Sequence, residues 1–367
     1  MTVEATGKRE RIDWLRLART ESVGPVTFAH LLARHRSASR ALAALPDLAR
    51  RGGRATPLRI PTVEEARVEL SAGEALGARL ILGGEAGFPR LLAVLDPPPP
   101  LIWTLGDASL LSRRSVAVVG AREASSAGQR MARSLAAGLG QGGYVVVSGL
   151  ARGIDAAAHH GAIDTGTIAV LAGGVDSVWP PQNAALYEAI VARGCIVSER
   201  PIGYEGRAPD FPRRNRLISG LSLGVVVVEA EQKSGSLITA RLAGDQGREV
   251  FAVPGSPLDP RARGANDLLR QGACLVEEAE DVLRVLDALP GVFEREPPLY
   301  GQGGDDADGE FGGLAALLET LLSPTPTGID ERARAAGAPA PAVAAALVEL
   351  SLAGRVELLP GGQAVRT

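Results

Sequence analysis

The chain has 367 residues, 46% of them hydrophobic, which is too long for one ordinary core and apolar enough for two or three. No run of eighteen apolar residues occurs and the opening MTVEATGKRERIDW is charged, so we expect neither a signal peptide nor a membrane span, and a cytoplasmic location. The formal net charge of −3 hides an asymmetry: residues 1–112 carry 15 basic against 12 acidic side chains, residues 113–271 carry 18 against 14, and the remainder is acidic.

In chain order, residues 1–80 read as an all-helical domain with helices over Ile12–Arg19, Pro25–His35 and Ser39–Leu45. Pro25 after Gly24 is a start signal, because proline at a first helical position gives up only an N–H that has no partner there. The helix, Val-Gly-Pro turn, helix order resembles a helix-hairpin-helix or related small helical DNA-binding module, although plain helical packing would give the same pattern. His30 and His35 read as solvated or packing residues.

Residues 81–289 change character. From residue 101, short β-branched runs (LIWTL, SVAVVG, YVVVSG, TIAVLAGG, CIVSE, LGVVVVEA, VFAVPG, CLVEE) alternate with amphipathic stretches, the appearance of repeated βα units. Valine runs such as Val225–Val228 suit parallel strands covered on both faces. We therefore expect an α/β fold with a doubly wound, mostly parallel Rossmann-like sheet. Cys195 and Cys274 lie in apolar runs without CxxC spacing and read as buried thiols, and neither a metal nor a cofactor is expected.

Residues 290–311 hold one arginine against six acids in a Gly/Pro/Asp-rich run and read as a disordered acidic linker. Residues 312–367 read as helices over Leu314–Leu322, Ile329–Ala336 and Pro341–Leu350, then a small hairpin with a Pro360-Gly361-Gly362 turn, which is a winged-helix order. The third helix, within PAVAAALVELSLAG, has no basic residue, so this domain suits protein interaction better than phosphate binding.

Ligands of doubly wound sheets bind outside the carboxyl ends of the strands. The loops there carry glycine or serine, cations, or both: Gly120-Ala121-Arg122 before Ser125 and Ser126; Ser148-Gly149-Leu150-Ala151-Arg152-Gly153-Ile154-Asp155; Gly173, Gly174 and Asp176; Phe211-Pro212-Arg213-Arg214-Asn215-Arg216; and Glu231-Gln232-Lys233-Ser234-Gly235-Ser236. Backbone N–H groups at helix N-termini cradle anionic oxygens, and arginine or lysine neutralises them. Of 39 basic residues only Lys8 and Lys233 are lysines, and a compact ammonium serves phosphate where a guanidinium fork does not fit. Five such loops predict a cationic groove for several phosphates.

Nicotinamide binding is excluded in detail, since the first βα turn reads GAREASSAG in place of GxGxxG, and no GxxxxGK[ST] P-loop occurs. His159 and His160 read as packing or capping residues, and Glu199, Glu229 and Asp176 have no nucleophile and base at readable spacing. We expect a nucleic-acid-binding protein and not an enzyme. With aromatics at 4%, long stacking platforms are lacking, so phosphates carry the affinity. Trp179, Tyr204 and Phe211 lie near the loops, with core packing the default for each.

The motifs GAR, SGLARGIDAAAHHGAI, GGVDSVWPPQNAALYEAI, SERPIGYEGRAPDFPRRNRLISGLS, EAEQKSGSLITARLAGDQGREVFAVPGS and GANDLLRQGA resemble those of the DprA/Smf family of DNA-processing proteins over about residues 85–285. The resemblance implies binding of single-stranded DNA, protection of incoming DNA, loading of the RecA recombinase during natural transformation, and a homodimer through the Rossmann-like domain. It implies Arg122 and Lys233 as principal DNA contacts, supported by Gly120, Ser234, Gly235 and Ser236, with Arg152, Arg213, Arg214, Asn215 and Arg216 in further motif loops. Ala265–Leu286 is read as the surface for that dimer. The alternative is a nucleoside-monophosphate phosphoribohydrolase-like enzyme, whose fold is similar. The glutamate of that group's PGGxGTxxE pattern is missing from Lys233–Ala240.

Overall fold

The computed structural model describes residues 7–289, 313–323, 325–359 and 361–366; the expected acidic linker and Pro360 lie outside the described residues. The N-terminal unit holds α1 (Lys8–Arg19), α2 (Pro25–His35), α3 (Ala38–Arg51) and α4 (Val63–Ala75). The third helix was expected to stop before Pro46. It runs on to Arg51 because Ala41, Leu42, Leu45, Leu48 and Ala49 form one continuous buried face across the proline. The unanticipated α4 starts at a capping box, in which Thr62 and Glu65 each accept the other's backbone N–H, a signature legible in TVEE.

The central unit comprises β1 (Arg79–Leu82), α5 (Arg90–Ala93), β2 (Leu101–Gly106), β3 (Ser115–Val119), α6 (Ser126–Gln141), β4 (Val145–Ser148), α7 (Ile154–Ala162), β5 (Thr167–Val170), α8 (Ala184–Arg193) and β6 (Cys195–Ser198). It continues with α9 (Asp210–Gly220), β7 (Gly224–Val227), α10 (Gly235–Asp245), β8 (Glu249–Ala252), α11 (Arg263–Arg270), β9 (Cys274–Leu275) and α12 (Ala279–Asp287). The strands form one nine-stranded sheet in the order β1-β2-β6-β5-β4-β3-β7-β8-β9. Strands β3 to β9 pair in parallel, while β2 runs antiparallel to β6, and β1 antiparallel to β2. Arg79 pairs with Thr104, so the sheet begins slightly before residue 81.

Side chains alternate across a strand, so each valine run feeds two cores. Val116, Val118, Val146 and Val226 pack under α6, α7 and α12. Ala117, Val119, Val145, Val147, Val225 and Val227 pack under α9, α10 and α11 on the opposite face. Cys195 is buried, which pushes its thiol up to about 12; Cys274 is only half-buried.

His159 on α7 is fully buried. Thr167 Oγ1 donates to Val146 O at 2.8 Å, so His159 Nδ1, 2.7 Å away, donates to Thr167. Burial, helped by His160 and Arg214, holds the imidazole down to about 3. The unfolded chain then binds a proton that the folded chain refuses between that value and an ordinary histidine pKa of about 6.5. The stabilisation from neutral His159 is complete above about pH 6.5 and falls by up to about 1.4 kcal/mol per pH unit as pH drops below it. Urea titrations at pH 7.5 and 5.5 should show a larger loss in the wild type than in His159→Leu; parallel losses would show that His159 is not the group responsible.

The C-terminal unit holds α13 (Leu314–Thr320), β10 (Thr327–Gly328), α14 (Ile329–Ala336), α15 (Ala340–Leu352), β11 (Val356–Leu359) and β12 (Gln363–Arg366), with sheet order β10-β12-β11. This is the expected winged helix. Helix α15 is apolar nearly all round because it is buried on two sides. Val343, Leu347 and Leu350 fill its own core, while Val348 and Leu352 join the core of the N-terminal helices. Among the described residues, no single helix is long and apolar enough to cross a membrane.

Candidate nucleic-acid interface

Strand β3 lies between β4 and β7, and the helices that follow β3 and β7 cover opposite faces of the sheet. The carboxyl ends of β3 and β7 therefore mark the switch point, the place at which such sheets bind ligands. Backbone and amide bonds tie the surrounding loops together. Ala121 N donates to Glu229 O at 2.7 Å, Ile154 N to Ala121 O at 3.2 Å, Asn183 Nδ2 to Leu150 O at 2.9 Å, and Asn215 Nδ2 to Gly235 O at 3.2 Å. Gly120 permits this approach, since a Cβ there would lie 2.6 Å from Ile154 Cγ1 and 2.9 Å from Glu229 O. Gly153, at φ 76°, turns the chain against the carbonyl oxygens of Ala121 and Arg122. The loops after β3, β4 and β7 and the first turns of α9 thus meet, while Gly173 and Gly174 pack against the Pro201–Tyr204 segment.

Arg122, Arg152 and Lys233 are exposed, and no carboxylate pairs with any of them among the described residues. Arg207, outside the loops singled out from the sequence, is exposed as well, and among the described residues no carboxylate pairs with its guanidinium. The Arg122 guanidinium lies 5.6 Å from the Trp179 ring centroid and 5.4 Å from that of Phe211. The two rings are 5.0 Å apart at 60°. Core packing was the default for Trp179, yet its side chain is 47% exposed: the loop after β5 carries it outward to the arginine, a non-local arrangement that local hydropathy does not encode. Tyr204 donates to Asp210 at 2.9 Å beside Arg200.

Other expected contacts have structural work of their own. Arg214 is buried, and its Nη1 donates to Gly149 O at 2.8 Å and also to Val170 O. Asn215 and Ser236 are buried, and Ser234 accepts the Ser236 N–H as the cap of α10. Arg216 is paired with Glu199, and Arg213 Nη2 lies 3.3 Å from Glu357 of the winged helix. Consecutive residues of a helix point about 100° apart, so the run Arg213-Arg214-Asn215-Arg216 cannot face one groove.

The phosphate cradles expected at helix N-termini are also partly filled. Glu229 accepts the Ser125 N–H at 2.9 Å and the Ser125 hydroxyl, placing a carboxylate where α6 would receive an anion. Asp155 accepts the N–H groups of Gly149 and Ala151 at the start of α7. Burial pushes this carboxyl up, against the opposing pull of Arg214, while burial lowers Arg214 to about 10, so Arg214 stays cationic at neutral pH. Asp176 accepts the Gly203 N–H at 3.0 Å. Glu199, Glu229 and Asp176, the acids weighed for catalysis, are therefore all engaged in holding loops. At α10, by contrast, Gly235 is exposed, with nothing within 4 Å of its Cβ position, beside exposed Lys233.

These features define a class: a Rossmann-like α/β protein whose switch point is an open cationic rim with an aromatic-backed arginine, flanked by a helical hairpin domain and a winged helix. The chain belongs to the DprA/Smf family. Its residues 79–287 match the family model described as DNA recombination-mediator protein A, residues 8–72 match the DprA-like N-terminal HHH domain, and residues 312–362 match the DprA winged helix domain. It is 41% identical over 281 residues to Protein Smf of Escherichia coli, covering 75% of this chain and 73% of that one. It is 42% identical over 202 residues to the DNA processing protein DprA of Bacillus subtilis, covering 54% and 68% of the two chains. The structure of DprA from Streptococcus pneumoniae superposes with a TM-score of 0.64 at 33% identity over 76% of this chain and 98% of that one. A Helicobacter pylori DprA structure, described for its single-stranded DNA binding mode, gives 0.52 at 29% identity over 57% and 95%.

Proposed function

We propose that this protein binds single-stranded DNA through its phosphates along the rim of Arg122, Arg152 and Lys233, as a recombination mediator that protects incoming DNA and loads RecA during natural transformation. The observation that carries this reading is the set of exposed, unpaired cations on loops tied together at one switch point. Gly120, Ser234 and Gly235 shape the rim, while Arg213, Arg214, Asn215, Arg216 and Ser236 support it from beneath or beside. The carboxylates already seated on α6 and α7 argue against a mononucleotide pocket, and hence against the phosphoribohydrolase alternative and an enzymatic role. The Helicobacter pylori relative, described as binding single-stranded DNA, supports the same ligand. The protein acts in the cytoplasm as a homodimer through the Rossmann-like domain. Leu275, 51% exposed on edge strand β9 within Ala265–Leu286, supports that face.

Fluorescence anisotropy with a labelled oligo-dT, a duplex of equal length and AMP, each across salt, tests the reading. The single strand should bind, with log K falling by about 0.7 per phosphate contact for each tenfold rise in salt. A flat salt response, saturation by AMP, or release of free adenine would overturn it.

A further inference from the structure

Among the described residues three non-glycine residues have positive φ, and of these only Leu150, at φ 57°, is buried. A left-handed leucine persists only where its surroundings fix it. Here the fixing groups come from several elements. The Leu150 side chain shares a core with Leu171, Val175 and Ile190. Asp155 accepts the N–H groups of Gly149 and Ala151, and Arg214 donates to Gly149 O. The carbonyls of Leu150 and Ala151 both accept from Asn183, whose Nδ2 lies 2.9 and 3.2 Å away. Carbonyl oxygens only accept, which fixes the amide with its nitrogen toward the loop.

Asn183 forgoes local bonding to do this. It occupies the N-cap of α8, where an asparagine side chain ordinarily accepts an N–H of the first turn, and it makes no such bond. Its amide reaches instead 33 and 32 residues back, to the two carbonyls that lead into Arg152. The next residue, Gly153, lies against the carbonyl oxygens of Ala121 and Arg122, and Ile154 N donates to Ala121 O. The braced loop therefore delivers exposed Arg152 beside the loop of Arg122.

We propose that Asn183 is a positioning residue for single-strand binding: by holding the carbonyls of Leu150 and Ala151, it fixes the direction from which Arg152 meets the DNA backbone. The inference rests on the proposed single-strand reading. Asn183 brings no charge of its own and acts through Arg152. A loop set in advance spares the ordering of Arg152 on binding, a cost that weakens contacts made from unbraced loops. Trp179, earlier in the same segment, has its own contact with Phe211 at 5.0 Å, so the aromatic backing of Arg122 does not depend on this amide.

The test uses the full chain as wild type, Asn183→Ala, Asn183→Ser, Arg152→Ala and Arg122→Ala, with Asn183→Ala also combined with each arginine variant. Oligo-dT anisotropy is measured across salt, and a urea curve for each protein corrects affinity for the folded fraction. Arg152→Ala should bind about tenfold weaker, with a salt slope flatter by about 0.7, one lost phosphate contact. Asn183→Ala should bind about three- to tenfold weaker and flatten the slope in the same direction. Asn183→Ser restores an ordinary cap to α8 while withdrawing the reach to the loop, so it should keep the urea midpoint and still lose affinity. In the Arg152→Ala background Asn183→Ala should cost less than about twofold, whereas in the Arg122→Ala background its full cost should remain. Wild-type affinity in both Asn183 variants, or an equal loss with and without Arg152, would overturn the proposal and leave the rim standing. Arg152→Ala binding like the wild type would do the same, because there would be no contact to position. If the wild type binds no oligonucleotide at any salt, the rim reading fails and takes this inference with it.

Discussion

Arg122→Ala and Lys233→Ala should each weaken single-stranded oligonucleotide binding by about tenfold at moderate salt, the size expected for a hydrogen bond to a charged partner. Each should also flatten the dependence of log K on log salt by about 0.7, because one phosphate contact is lost. Neither should move the unfolding midpoint in urea measurably. Both side chains are exposed, and no ion pair holds either among the described residues, so removing them leaves no buried group unsatisfied. Arg122 should be the more sensitive position. Its guanidinium is backed by Trp179 and Phe211, which limit the rotamers it must give up on binding. An affinity loss without a change in slope would mean that the side chain shapes the rim and does not meet a phosphate.

What could be read ahead of the structure divides along a physical line. Valine runs such as Val145–Val147 and Val225–Val227 gave the parallel sheet, because side-chain period and burial on both faces are local properties of a strand. That Arg122 and Lys233 follow strand ends was legible too, but only the strand order, with β3 beside β7, shows that their loops flank one switch point. What lay hidden depends on contacts between distant residues. Glu229 looked like a free acid 104 residues from Ser125, yet it occupies the N-terminus that Ser125 opens. Trp179 looked like core until the loop after β5 placed it against Arg122. The winged helix read as an interaction module, and its seat proved to be α3 of its own chain, reached across segments that sequence proximity does not connect.

Arg214→Ala should cost about 3–5 kcal/mol of stability, the largest loss expected of any arginine in the motif loops. The guanidinium sits where the carboxyl ends of β4 and β5 meet, donating to Gly149 O and Val170 O, and it is the stronger of the two cations, with Arg122, that offset the burial of Asp155. Truncation strips two buried carbonyls of their donor and leaves a buried carboxyl without the stronger of its balancing charges, and neither loss can be made good by water without opening the sheet. Oligonucleotide binding should fall too, but only as the folded fraction falls, and it should recover in the fraction refolded by an osmolyte. Arg122→Ala predicts the reverse pairing, with full stability and lost affinity. If Arg214→Ala instead kept its urea midpoint while losing DNA, the buried position would not be the one occupied in solution, and Arg214 would have to swing out onto the rim.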